Sequence, residues 1–181
     1  ALQKRDGTPV YTSITSRVMY RKDGEISYFD SMMLDITEKK LAEERLRESV
    51  QKYRSLFEES KDAIVFTTQQ GNFIDANSAA SELFGYTKEE ILKLNFRKLY
   101  VDPDERYRFQ EEMKEKDSVQ GFETKLRGKG DVEMDCIFDV VCRRGDNESI
   151  LEYQGIIRDI SEAKRAQEEL KTSQQLSIPD N

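Results

Sequence analysis

Histidine is absent from all 181 residues. No imidazole in this segment is therefore available as a phosphoacceptor, an acid–base catalyst or a haem ligand. Cysteine is nearly absent as well, with Cys136 and Cys142 alone. Six residues apart on one expected strand, they share a face but lie roughly 20 Å apart at strand rise, too far to bridge. Both read as small apolar core side chains rather than redox or metal groups. No apolar run approaches the ~18 residues of a membrane helix, and no signal-peptide pattern opens the sequence, so a cytoplasmic setting without membrane contact is expected. A Gly-rich phosphate loop, metal-ligand spacing and a nucleophile–base set are all missing, which argues against catalysis. With 29 basic and 36 acidic residues the net charge is −7. That balance opposes nucleic acid as a partner, because phosphate-backbone binding needs clustered Lys and Arg.

What is present is a repeat. Asp35-Ile36-Thr37-Glu38 and Asp159-Ile160-Ser161-Glu162 lie 124 residues apart, each closing an alternating apolar run and opening a charged helical stretch. Upstream, Gly24-Glu25-Ile26 answers Asn147-Glu148-Ser149-Ile150, and before the turn the offset shortens by two. Val10, Ile14, Val18 and Tyr20 then face Val132, Cys136, Val140 and Cys142, which predicts a longer hairpin loop in the second copy. A period this long indicates tandem domains rather than a solenoid. The sequence is expected to begin inside one domain and then to contain a whole second one.

Alternation at 8–20 and 25–35, with Arg21-Lys22-Asp23-Gly24 between, predicts a β-hairpin whose edges are unpaired within its own half-domain. From Thr37 to about Ser60 the composition turns to Glu, Lys, Arg, Ala and Leu, predicting an exposed helix with an apolar seam at Leu46, Val50, Tyr53 and Phe57. That seam suits packing on the following domain or pairing with a second helix. Strands at 63–68 and 72–76 flank Gln69-Gln70-Gly71. Asn77 caps a short helix ending near Gly85, Thr87 and Glu90 form a capping box, and Asp102-Pro103-Asp104-Glu105 repeats the box at the start of a helix to about Lys116. Three strands follow at roughly 121–127, 131–143 and 149–159, then a helix capped by Ser161 and a loose end at 176–181. The order predicts an α+β layer architecture with an antiparallel sheet.

This element order, with Asn72-Phe73-Ile74-Asp75-Ala76-Asn77, Leu83-Phe84-Gly85-Tyr86, Asp102-Pro103-Asp104-Glu105 and Gly155-Ile156-Ile157-Arg158-Asp159-Ile160-Ser161-Glu162, closely resembles the PAS or sensory-box family. The resemblance implies a five-stranded antiparallel sheet with short helices on one face around a small cavity, flanked by amphipathic helices and an extra N-terminal β-hairpin. Its expected divisions are a truncated preceding repeat at 1–36, a linker helix at 37–58, a complete PAS domain at 59–160 and a signalling helix with its tail at 161–181. It further implies a noncatalytic sensor or dimerisation module of a two-component system, relaying to an output domain such as a histidine kinase, cyclase or phosphodiesterase.

PAS cavities hold haem, flavin, small metabolites or nothing. The lack of His excludes His-ligated haem, and the region from Thr87 to Tyr100 lacks the cysteine of a LOV-type flavin adduct. The expected core is Phe66, Ile74, Phe84, Ile91, Phe96, Leu99, Phe109, Met134, Cys136, Phe138, Leu151, Tyr153, Gly155 and Ile157. Within it, Phe66, Phe84, Phe96, Phe109, Met134, Cys136, Tyr153 and Ile157 mark a small pocket for an apolar or weakly polar ligand. Asp35, Thr37, Asp159 and Ser161 mark the sheet-to-helix signal junction, since a carboxylate just before a helix meets its exposed amides. A homodimer through the helices and the hairpin is expected, because Ile14, Val18, Phe29 and Met33 need cover. Sensor and pure connector remain the alternatives, and they differ in whether a cavity exists and is filled.

Overall fold

The computed structural model describes residues 2–3, 5 and 7–175, so the expected loose end at 176–181 lies outside the described residues. The chain divides into two compact units, 1–54 and 55–181.

In the first unit, β1 (Leu2–Gln3) pairs with β2 (Pro9–Val10), and β3 (Thr12–Tyr20) pairs antiparallel with β4 (Ile26–Asp35). Helix α1 (Thr37–Glu58) follows and crosses the division between the units. It contains neither Gly nor Pro, and its Glu, Lys, Arg, Ala and Leu residues are strong helix formers. Of the expected seam, Leu46, Val50 and Tyr53 are exposed, whereas Phe57, in the second unit, is buried.

The second unit contains β5 (Ala63–Thr67), β6 (Phe73–Ala76), α2 (Ser78–Phe84), α3 (Lys88–Ile91), a 3₁₀ turn (Phe96–Leu99) and α4 (Pro103–Lys116). After these come β7 (Ser118–Arg127), β8 (Glu133–Arg144), β9 (Ile150–Asp159) and α5 (Ser161–Gln175). The sheet order is β6-β5-β9-β8-β7, antiparallel throughout, with the helices between β6 and β7 on its buried face. Alternation gives that face Ala63, Val65 and Thr67 from β5, Met134, Cys136, Phe138 and Val140 from β8, and Gly155 and Ile157 from β9. The Thr87–Glu90 capping box is formed reciprocally. At α4 the expected box is half made. Asp102 accepts from Asp104 N at 2.9 Å, but Glu105 turns to Arg108, 2.7 Å away, because a cation one helical turn on competes for its carboxylate.

Three expected core residues lie elsewhere. Phe66 points to the opposite face of the sheet, its ring 5.7 Å from that of Phe57, because Val65 and Thr67 take the inward positions. Ile74 on edge strand β6 is 45% exposed while its neighbour Phe73 is buried, and Leu151 is 46% exposed at the start of β9, near the hairpin turn.

The repeat has no offset change. Thr12 faces Asp35 as Cys136 faces Asp159, and Tyr20 faces Ile26 across a bulge as Arg144 faces Ile150, so every pair differs by 124 positions. Both turns are closed alike. Arg21 N donates to Glu25 O at 2.7 Å and Gly24 N to Arg21 O at 3.0 Å, matched by Gly145 N to Ser149 O at 2.9 Å and Glu148 N to Gly145 O at 3.0 Å. Matching apolar residues alone predicts a longer second loop; the turn's hydrogen bonds set the register instead. One difference remains, with Gly24 at φ +87° and Glu148 at φ +61° in the same left-handed position. Glu148→Gly should therefore raise stability by about 0.5–1 kcal/mol, since glycine carries no Cβ penalty there. Urea titration checks this, and an unchanged or lower midpoint would contradict it.

Candidate functional site

Two places in the second unit could carry a signal: a cavity under the helices and the joint between sheet and α5. The cavity holds about 30 Å³, bounded by Val65 and Thr67 of β5, Phe138 and Val140 of β8, Tyr153, Gly155 and Ile157 of β9, Phe96 and Tyr100 around the 3₁₀ turn, and Arg106 and Phe109 of α4. Five of the eleven lining residues are aromatic. Phe96 lies 5.6 Å from Tyr100 and 5.7 Å from Phe138, and Phe109 lies 6.5 Å from Phe138 and 6.4 Å from Tyr153, all edge-on. Gly155 contributes no side chain at a point where neighbouring strands would otherwise meet it. An added Cβ would sit 3.4 Å from Val65 Cγ2 and 3.5 Å from Val140 Cγ2, ordinary contact distances.

The polar groups of this wall come from Thr67, Tyr100, Tyr153 and Arg106. Burial pushes the Tyr100 phenol up to about 12, with the Arg106 guanidinium beside it opposing the rise. Tyr100 therefore stays a neutral hydroxyl. Arg106 is 7% exposed. Its Nη2 donates to Gln69 O at 3.3 Å, a side-chain hydrogen bond joins it to Tyr100, and its guanidinium carbon stands 5.5 Å from the centre of the Phe109 ring. Its Nε has no hydrogen-bond partner among the described residues.

Of the eight expected pocket residues, Phe96, Phe109, Tyr153 and Ile157 line the cavity. Phe84, Met134 and Cys136 are buried in the surrounding core, and Phe66 is on the other face. Burial first, then the carboxylates of Asp159 and Asp135, raises the Cys136 thiol to about 12, so it stays protonated and unreactive. Thr67, Tyr100 and Arg106 also line the cavity, outside the residues expected from sequence. A signal for the arginine existed, since Arg106, Phe109 and Met113 recur at three and four residues and are all buried on one face of α4.

At the joint, Asp159 Oδ1 accepts from Ser161 N at 2.8 Å, and Ser161 Oγ in turn accepts from Asp135 N at 2.8 Å. Ile160 N donates to Asp135 O at 2.8 Å. Lys164, one turn into α5, reaches Asp135 at 3.2 Å and Glu123 at 2.9 Å. The hydrogen bonds it donates to Glu123 and then Asp135 hold its ammonium above the usual lysine range. The first turn of α5 is thus tied to both β8 and β7. The first unit repeats the arrangement, with Thr37 N donating to Asp35 Oδ1 at 2.9 Å, Tyr11 N donating to Thr37 Oγ1 at 3.0 Å, and Ile36 N donating to Tyr11 O at 2.9 Å. All four expected junction residues therefore sit at these two joints. On the incoming side, Glu58 at the end of α1 accepts from Ser78 N at 3.0 Å and pairs with Lys88 at 3.2 Å, and Lys88 also reaches Asp75 at 2.8 Å.

Known proteins resemble this chain in sequence and in fold. Sporulation kinase E of Bacillus subtilis (strain 168) is 26% identical over 155 residues, which is 81% of this chain and 19% of the kinase. A PAS domain from Colwellia psychrerythraea superimposes with a TM-score of 0.56 at 26% identity, covering 62% of this chain and 98% of that one. An RNA-binding light-oxygen-voltage receptor shares the fold with a TM-score of 0.61 at 19% identity, covering 94% of this chain and 45% of that one. This chain thus spans about a fifth of the kinase's length, 19%. Residues 61–162, the five-stranded sheet with its helices, match the sequence profile described as PAS domain, and the chain belongs to the PAS domain family.

Proposed function

We propose that this chain is a sensory and relay segment of a cytoplasmic kinase-type signalling protein, in which a change at the sheet of the PAS domain passes into α5 and on to an output domain. The observation that carries the reading is the joint at Asp159. A helix whose first turn is bonded to β8 and β7 follows those strands, so a shift of the sheet becomes a shift of the helix. The likeness to a sporulation kinase supports the kinase-type parent. PAS domains are themselves noncatalytic, so the work of this segment is to bias a helix, not to perform chemistry.

Asp159→Ala removes the acceptor for the first free amide of α5, a loss of about 1 kcal/mol at an ordinary helix start. Amide exchange at 160–164 should therefore quicken about fivefold while β5 and β9 keep their protection. Unchanged exchange across α5 would sink the relay reading.

Self-association belongs to the same proposal. The positions in β3 and β4 that answer the buried Phe138 and Ile157 are Ile14 and Met33, exposed at 56% and 59%, and Phe29, which answers Tyr153, is exposed at 63%. A hairpin built like the centre of a PAS sheet, with its equivalent of the inner face uncovered, fits a second copy or the strands of a neighbouring PAS repeat. Native mass spectrometry should give a dimer. A monomer at tens of micromolar would remove the self-association arm.

A further inference from the structure

Arg106 is a buried cation without a counter-charge. Among the described residues no carboxylate pairs with it, its Nε is unpartnered, and it is 7% exposed on the wall of the cavity. A buried charge is costly unless it is paired and hydrogen-bonded, and a bound water would satisfy the N–H while leaving the charge uncompensated. The nearby wall offers hydroxyl-bearing side chains from Thr67, Tyr100 and Tyr153, with aromatic rings beyond them. The volume is about 30 Å³, room for about two or three waters or a molecule of similar bulk and far too little for nucleotides, flavins or haem.

We propose that this cavity binds a small monocarboxylate of about acetate size, its carboxylate on the Arg106 guanidinium and its methyl end against Phe109 and Phe138. The assignment rests on the sensory reading above and names the ligand class for it. It departs from the apolar or weakly polar ligand expected from sequence, because the guanidinium, though bonded to Gln69 O and Tyr100, brings to the wall a charge that no described carboxylate pairs and an Nε without a partner among the described residues. Planar guanidinium and planar carboxylate are matched for two parallel N–H···O bonds, and phenolic and threonine hydroxyls can donate to the same oxygens.

The test is a titration of the full chain followed by ¹⁵N–¹H NMR, with sodium acetate, its neutral isostere acetamide, and sodium chloride at matched ionic strength. Acetate should produce saturable shifts at the amides of residues 100, 106 and 155. Arg106→Gln should weaken that binding tenfold or more, the scale of losing a charge-assisted hydrogen bond. Gly155→Ala keeps the arginine but places a methyl group between Val65 and Val140 at ordinary contact distance, so it should abolish binding in a folded protein. It also keeps the proposal testable if Arg106→Gln fails to fold. Equal shifts from chloride, or acetate binding that survives both substitutions, would overturn the proposal. Binding of acetamide without acetate would overturn the carboxylate assignment and leave a ligand-sensing cavity standing. If none of the three probes binds, the carboxylate proposal is overturned, while the relay through Asp159 is judged separately by exchange in α5.

Discussion

Replacing Asn77 by alanine should cost about 3–5 kcal/mol, a large share of the ~5–15 kcal/mol that holds a domain together. Asn77 is fully buried, and its amide makes four bonds. Oδ1 accepts from Ala80 N at 3.0 Å and from Ile64 N at 2.9 Å, while Nδ2 donates to Phe57 O and Asp62 O, each at 3.0 Å. One side chain thus caps α2, takes a free amide of β5, and receives the end of α1 and the loop that follows it. Truncation strands two N–H groups and two carbonyls, and each buried unpaired group costs about 1–3 kcal/mol unless water reaches it. The diagnostic variant is Asn77→Asp. At an ordinary N-cap Asp and Asn are equivalent. Here the aspartate would set an oxygen against two carbonyl oxygens in a buried site, so Asn77→Asp should be about as damaging as Asn77→Ala. Urea denaturation of both variants decides it, and an aspartate variant within about 1 kcal/mol of the parent would show that only the cap matters.

That contrast marks where sequence reading succeeds and where it stops. Asn77 was legible as a cap because capping depends on residues within one turn; its bonds to residues 57, 62 and 64 depend on segments 13–20 positions away and leave no local pattern. Strand positions were readable wherever alternation was strict, as in β8, where Met134, Cys136, Phe138 and Val140 are all buried. Ala63-Ile64-Val65-Phe66 is apolar throughout, so period 2 fixes no phase, and the larger Phe66 was placed inside when Val65 holds that position. The junction residues were read from a repeated motif, and the bonds at Thr37 and Ser161 show why those residue types recur. Each supplies a hydroxyl that accepts a backbone amide, from Tyr11 just before the first strand of one hairpin and from Asp135 within the first strand of the other. Arg106 escapes the sequence reading because an arginine carries no apolar signal and belongs to no motif. Its spacing to Phe109 and Met113 was the only trace of its burial.

Phe138→Ala should be the most damaging single truncation of the apolar core, at about 3–5 kcal/mol. Its ring is 1% exposed and meets Phe96 at 5.7 Å, Tyr100 at 6.3 Å, Phe109 at 6.5 Å and Phe122 at 6.0 Å. Those partners belong to the 3₁₀ turn and the residue after it, α4 and β7, so one side chain of β8 joins the helical layer to the sheet. Neighbouring rings cannot collapse into the space together, because each also packs elsewhere, as Phe96 does against Phe73 at 5.6 Å. Phe138→Leu keeps much of the branched bulk and should cost less than half as much. The comparison also bears on signalling, since Phe138 lines the cavity and lies three residues along β8 from Asp135, where α5 is bonded. If the cavity communicates with α5 through β8, Phe138→Leu should quicken exchange at 160–164 by more than its effect on global stability accounts for. Equal proportional changes everywhere would mean that β8 carries no privileged path, and that α5 senses the core only through overall stability.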